Sequence, residues 1–176
     1  MNISAELRWQ EMDQIGGQAG QAQTKPALSS IYLHPGQLIA AAEPTVVTTI
    51  LGSCVAVCLW DLTSGIGGIN HYLLPTGLKT ASTGLRYGNV AIEQLLEKLW
   101  RAGVRPSNLR AKLFGGACVL DAMRGKANHL GDKNVDIAEK LLAEAGIPVV
   151  AADVGGGRGR KLLFQTHDGT ALVKLL

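Results

Sequence analysis

Cys54 closes the run Thr48-Thr49-Ile50-Leu51-Gly52-Ser53-Cys54, and seventeen positions later His71 closes Gly67-Gly68-Ile69-Asn70-His71. A thiol and an imidazole are the residue types of a nucleophile and its base, and the chemistry they support together is acyl transfer. Free cysteine has a pKa near 8.5, so little of it is thiolate at neutral pH, and an imidazolium alongside lowers that value. An amide carbon is a poor electrophile, and a covalent route divides the difficulty of hydrolysing it. Attack by the Cys54 sulfur on an acyl carbon, protonation of the leaving group by His71, and base-assisted delivery of water to the resulting thioester would complete the hydrolysis. The backbone amides of Ser53 and Cys54 are the candidate donors to the oxyanion of the tetrahedral intermediate.

Positioning this pair falls to a hairpin. Residues 55–60 alternate and branch like a strand, Asp61-Leu62-Thr63-Ser64-Gly65 carries turn chemistry, and 66–74 is strand-like again. Folding about the Leu62-Thr63 link puts Cys54 opposite His71, with β-carbons roughly 4.5 to 5.5 Å apart; a register two residues different makes them diagonal neighbours. Upstream, 31–33, Gln37–Ala41 and 46–50 read as short strands.

Downstream, Asn89 is placed to cap an amphipathic helix built on Ala91, Ile92, Leu95, Leu96, Leu99 and Trp100, which Gly103 ends. A core strand at 109–114 runs into Gly115-Gly116-Ala117. Asn134 is placed to cap a second helix through Ile137, Ala138, Leu141 and Leu142, closed by Gly146 and Pro148. Val149–Val154 is short and apolar enough for a buried strand, and His167-Asp168-Gly169 signals a terminal hairpin. Strands, helix, strand, helix, strands predict an α/β layered sandwich with a mixed sheet and β-hairpins in a single domain. That domain spans 29–176; the Gly/Gln/Ala-rich 1–28 has little to bury and is expected to be a flexible extension.

Composition narrows the function. With 176 residues, 47% hydrophobic and 18% charged, the chain can build one substantial core. A net charge of +3 spread without a basic stripe argues against nucleic acid. No apolar run reaches the roughly 20 residues of a membrane-spanning helix and the N-terminus lacks a signal pattern, which predicts a cytoplasmic protein without membrane insertion. Three cysteines, Cys54, Cys58 and Cys118, make neither a disulfide framework nor a zinc knuckle.

Six separated landmarks stand in order: Thr48, Leu51-Gly52-Ser53-Cys54, Gly67-Gly68 with His71, Tyr87 before a helix, Phe114-Gly115-Gly116-Ala117, and Gly155-Gly156 with Gly159-Arg160-Lys161. Together, over about residues 30–165, the chain resembles the CheD family, chemoreceptor glutamine deamidases of bacterial chemotaxis. The resemblance implies a fold similar to the catalytic domain of Rho-deamidating toxins, and Cys54 and His71 as the catalytic pair. It assigns an assisting role to the threonine six residues before the cysteine, Thr48. Methyl-accepting receptors are then the substrate, a CheC-type phosphatase is a candidate partner, and neither metal nor organic cofactor is required. Methyl-ester hydrolysis at the same receptor positions would use the same acyl-enzyme chemistry. The competing reading is an adaptor that docks on receptors or on such a phosphatase with the thiol pair idle.

Other residues keep structural readings. Cys58 and Cys118 are expected to be packing cysteines, and His34, His129 and His167 lie in loops or element ends. The run Gly155-Gly156-Gly157-Arg158-Gly159-Arg160 lacks the pattern of a phosphate loop and precedes a β-like segment, so a turn or substrate-side loop is expected. No pair of histidines has helical metal-ligand spacing.

Overall fold

A computed structural model describes residues 28–79, 84–118 and 129–176. The 1–28 segment lies outside the described residues save for Leu28. Among the described residues nine strands form two sheets, and two α-helices lie on one of them. The strands are β1 (Ser29–Tyr32), β2 (Gln37–Ala41), β3 (Thr45–Leu51), β4 (Val55–Asp61), β5 (Gly67–His71), β6 (Leu109–Gly115), β7 (Val149–Val154), β8 (Arg160–Gln165) and β9 (Ala171–Leu175); the helices are α1 (Gly88–Arg101) and α2 (Leu130–Glu144).

The order is β1-β3-β8-β9 in one sheet and β2-β5-β4-β6-β7 in the other. Each is mixed: β1 runs parallel to β3 and β6 parallel to β7, and the remaining pairs are antiparallel. The layered α/β sandwich is therefore present, with two mixed sheets where one was expected.

The strand pattern sorts the core by period two. In β4 every residue is buried, as a central strand covered on both faces must be. Its Val55, Val57 and Leu59 face α1 and α2 and pack with Leu95, Leu99 and Leu142. Alternate residues Ala56, Cys58 and Trp60 face the other sheet and pack against Val47, Leu51, Leu162 and Phe164. Burying a Leu, Val or Phe side chain contributes about 1.5–3 kcal/mol, so this second interface holds the two sheets together. Cys58, fully buried there, is a packing residue as expected.

Helix α1 turns Ala91, Ile92, Leu95, Leu96 and Leu99 inward and joins Glu97 to Arg101 at 2.6 Å on its exposed face. Gly103, at φ +89°, ends it as expected. Asn89 is not its cap: the helix starts at Gly88, and the Asn89 side chain bonds both backbone groups of Gly77 at 3.0 Å. Asn134 is likewise four residues inside α2, whose N-cap is His129, accepting from the Asp132 amide at 3.3 Å. Strand β7 also departs from expectation. It is an edge strand, with Val149 and Val150 39% and 52% exposed, because no strand pairs on its far side among the described residues. The terminal hairpin β8–β9 turns at Gly169 as the Asp-Gly signal predicts.

Candidate active site

The hairpin register decides how thiol and imidazole meet. Strands β4 and β5 pair Cys58 with Ile69, Leu59 with Gly68 and Trp60 with Gly67, and a further bridge joins Val55 to Tyr72. Continuing that register sets Ala56 opposite His71 and Cys54 just past the bridge, so the two are diagonal neighbours, two residues out of the directly opposite register. Both lie on the face turned toward the other sheet, the face of Ala56, Cys58 and Ile69. Cys54 is partly exposed, whereas His71 is only 1% exposed.

His71 is fixed from across the gap between sheets. Its Nδ1 lies 2.9 Å from Thr49 Oγ1, and the Thr49 hydroxyl donates to the Leu33 carbonyl at 2.8 Å. A hydroxyl has one proton. With that proton on Leu33, Thr49 Oγ1 must accept from Nδ1–H, which leaves Nε2 as the ring's lone-pair nitrogen. Nε2 is buried with no hydrogen-bond partner in the resting site. Burial holds the His71 pKa down at about 4, and burial also raises that of Cys54, partly offset by a hydrogen bond from its own amide. Both shifts favour a neutral thiol and a neutral imidazole over a thiolate–imidazolium pair.

Thr48 stands elsewhere. It is paired with Leu163 on the outer face of its sheet, the face where Val46 and Leu163 pack with Leu172, so it does not touch His71. Period two sends consecutive threonines to opposite faces, and the inward one is Thr49. Spacing from the cysteine points to Thr48; only the alternation of buried Val47 and Leu51 could have singled out Thr49.

Backbone contacts shape the nucleophile turn. The Gly52 carbonyl accepts from the Ala117 amide and the Cys54 carbonyl from Gly116, each at 2.8 Å, while the Cys118 amide reaches Gly156. The Ser53 carbonyl accepts from Asn134 Nδ2 at 2.9 Å. Carbonyls of 52–54 are thereby turned into the protein, and no carbonyl among the described residues accepts from the Ser53 or Cys54 amides. Gly115, at φ +111°, makes the close approach possible: a Cβ there would lie 2.1 Å from the Cys54 oxygen.

Arg160 explains the glycine-rich loop at 155–159. Arg160 is 2% exposed, and its side chain bonds Asp153 Oδ1 at 2.5 Å as well as the carbonyls of Asp153 and Gly155. It ties the crossing from β7 to β8 internally instead of presenting a charge for phosphate. Of the other histidines, His34 stacks edge-on against Tyr32, and His129 caps α2.

A buried imidazole and a partly exposed thiol share one face at the end of a sandwich of two mixed sheets, the residue types and the α/β architecture that an amidohydrolase can use. The profile of the family described as CheD chemotactic sensory transduction matches residues 73–175. A protein of Anaeromyxobacter dehalogenans named "Probable chemoreceptor glutamine deamidase CheD 1" is 50% identical over 93% of this chain and 95% of its own. One from Geobacter sulfurreducens, named "Probable chemoreceptor glutamine deamidase CheD 2", is 46% identical over 86% of this chain and 92% of its own. The chain belongs to the CheD family. Among solved structures, Bacillus licheniformis hypothetical protein YfiH superposes with a TM-score of 0.44 at 18% identity, covering 66% of this chain and 49% of its own, too slight a likeness to define the fold.

Proposed function

We propose that this protein is a chemoreceptor glutamine deamidase in which Cys54 is the nucleophile, His71 the general base and acid, and Thr49 the residue that fixes the imidazole. The observation that supports the assignment of roles is the Leu33–Thr49–His71 chain, which puts the ring proton on Nδ1 and leaves the Nε2 lone pair free, on a residue diagonal to Cys54 on the same sheet face.

The reaction starts from the neutral pair. A glutamine side chain entering above Cys54 brings its carbonyl carbon to the sulfur, and a rotation of the Cys54 side chain brings S–H within reach of Nε2. As the C–S bond forms, the thiol proton passes to Nε2, and the carbonyl electrons move to oxygen. The amides of Ser53 and Cys54 donate to that oxyanion, a term worth about 2.7–4 kcal/mol per donor in other acyl-transfer enzymes. Collapse expels the amide nitrogen, which takes the Nε2 proton and leaves as ammonia. Water then gives a proton to Nε2 as it attacks the thioester, and the glutamate leaves with Cys54 recovering its proton from His71.

The name carried by the relatives places the substrate glutamines on chemoreceptors. The protein then acts in the cytoplasm, where the receptor signalling helices lie; no helix among the described residues is long and apolar enough to cross a membrane. A CheC-type phosphatase is proposed as a partner on family resemblance. Incubation with a receptor cytoplasmic fragment and intact-mass measurement tests the activity. Replacing NH2 by OH raises the mass without cutting the chain. Unchanged mass with wild-type protein, or the same change with Cys54→Ala, would refute it.

A further inference from the structure

We infer that Asn134 is a positioning residue for the Cys54–His71 pair, splicing the turn that carries the thiol to the strand that carries the imidazole. The inference rests on the deamidase reading for its reaction and on independent geometry for its contacts.

The β4–β5 ladder ends at the bridge where Val55 and Tyr72 exchange two backbone bonds, 3.1 and 3.0 Å. Beyond it the chains diverge, to Ser53 on one side and Leu73 on the other. Both offer carbonyl oxygens there, and two acceptors cannot bond each other. Asn134 Nδ2 bonds both, at 2.9 Å to Ser53 O and 2.9 Å to Leu73 O. Its two N–H groups are fully used, one on the residue before the nucleophile and one two residues after the base. Tyr72 reinforces the contact by donating its hydroxyl to the Asn134 carbonyl.

The same side chain is costly by any measure of packing alone. Asn134 is 0% exposed and its Oδ1 has no hydrogen-bond partner. Its helix turns Ala138 and Leu142 into the core, and a leucine at 134 would continue that face and remove the unpaired Oδ1, while taking the donor away from the Ser53 and Leu73 carbonyls. What leucine lacks is the paired donor, so the asparagine is explained by the two carbonyls it joins. Releasing them would let the Cys54 turn drift relative to His71, and displacement of about 1 Å at a reacting group can reduce turnover about a hundredfold.

The test compares wild type with Asn134→Leu, which removes both donors and the stranded oxygen, and Asn134→Asp, which keeps the shape and replaces the donors with an acceptor. Deamidation of a receptor fragment gives kcat and KM. Alkylation of Cys54 by iodoacetamide, with Cys118 as internal standard, reads the pair without any receptor. Asn134→Leu is expected to fold, with kcat down by about tenfold to a hundredfold, KM within about twofold, and Cys54 alkylation slowed in parallel. Asn134→Asp is expected to lose at least as much wherever it folds. A folded Asn134→Leu with kcat and Cys54 alkylation both at wild-type rates overturns the inference, as does a rise in KM alone. Should wild type and Cys54→Ala prove equally inactive on receptors, the deamidase reading fails, and the alkylation comparison still decides the role of Asn134: slowed in Asn134→Leu it stands, unchanged it falls.

Discussion

Thr49 on one sheet and His71 on the other meet at 2.9 Å, and this contact determines which imidazole nitrogen carries the proton and which keeps its lone pair. Thr49→Val keeps the β-branched shape but removes the hydroxyl that accepts from Nδ1–H and donates to the Leu33 carbonyl. Stability should fall by about 1–3 kcal/mol. Turnover should fall by about tenfold, the factor that roughly 1.4 kcal/mol of lost orientation represents. Thr48→Val, on the outer face, should lose less in both respects. Thermal melts and deamidation rates of the two variants side by side check this; equal losses would mean that the contact does not orient the base.

Acid should destabilise the protein through His71. Its pKa is about 4 in the fold against an ordinary 6.5, so the unfolded chain binds a proton that the native site refuses. Stability from this residue is intact above pH 6.5, declines as pH falls, and levels off below about 4. Integrated over that window the loss approaches about 3 kcal/mol, at 1.36 kcal/mol for each pH step of one. Denaturant unfolding of wild type and His71→Gln between pH 7 and 4 measures it. The variant should show a flatter dependence, and identical slopes would dissociate His71 from the effect.

Thiol reactivity should rank the cysteines. Cys58 is fully buried between the sheets, and its pKa is pushed up strongly by that burial, so it should stay unmodified in the native state. Cys54 is partly exposed, with a neutral base diagonal to it, and should react faster than Cys118. His71→Ala should remove that lead while leaving Cys118 unchanged. Mass mapping after brief iodoacetamide treatment resolves the order, and a lead that survives loss of His71 would refute general-base assistance.

Gly115 offers a test of the turn rather than of the chemistry. Its φ of +111° and the 2.1 Å approach of a Cβ to the Cys54 oxygen leave no room for alanine. Gly115→Ala should cost more than about 1 kcal/mol and displace the nucleophile. Gly146→Ala, whose φ is also positive but whose Cβ would meet nothing, should cost stability and spare activity. If both variants lose only stability, the tight approach at Gly115 has no part in placing Cys54.

What the chain alone determined was local. Val55 to Trp60 reads as a strand from its short run of apolar and β-branched residues, and the fold covers that strand on both faces through Asp61. The amphipathic repeats of α1 and α2, the Asp-Gly turn before β9, and a cysteine and histidine brought together by one hairpin follow from periodicity and turn chemistry in short stretches.

The tertiary structure decided which polar atoms meet. Asn89 and Asn134 have the residue type of helix caps, yet each spends its amide on a distant backbone, at Gly77 and at Ser53 with Leu73. Hydrogen-bonding capacity is a property of the side chain, but the partner is whatever packing brings within 3 Å. The choice of Thr49 over Thr48 has the same origin: adjacent residues on a strand differ only in the face they present, and which face is inward depends on where the second sheet docks. The hairpin register obeys that logic too, since the Val55–Tyr72 bridge, and not the turn sequence, set His71 one diagonal from Cys54.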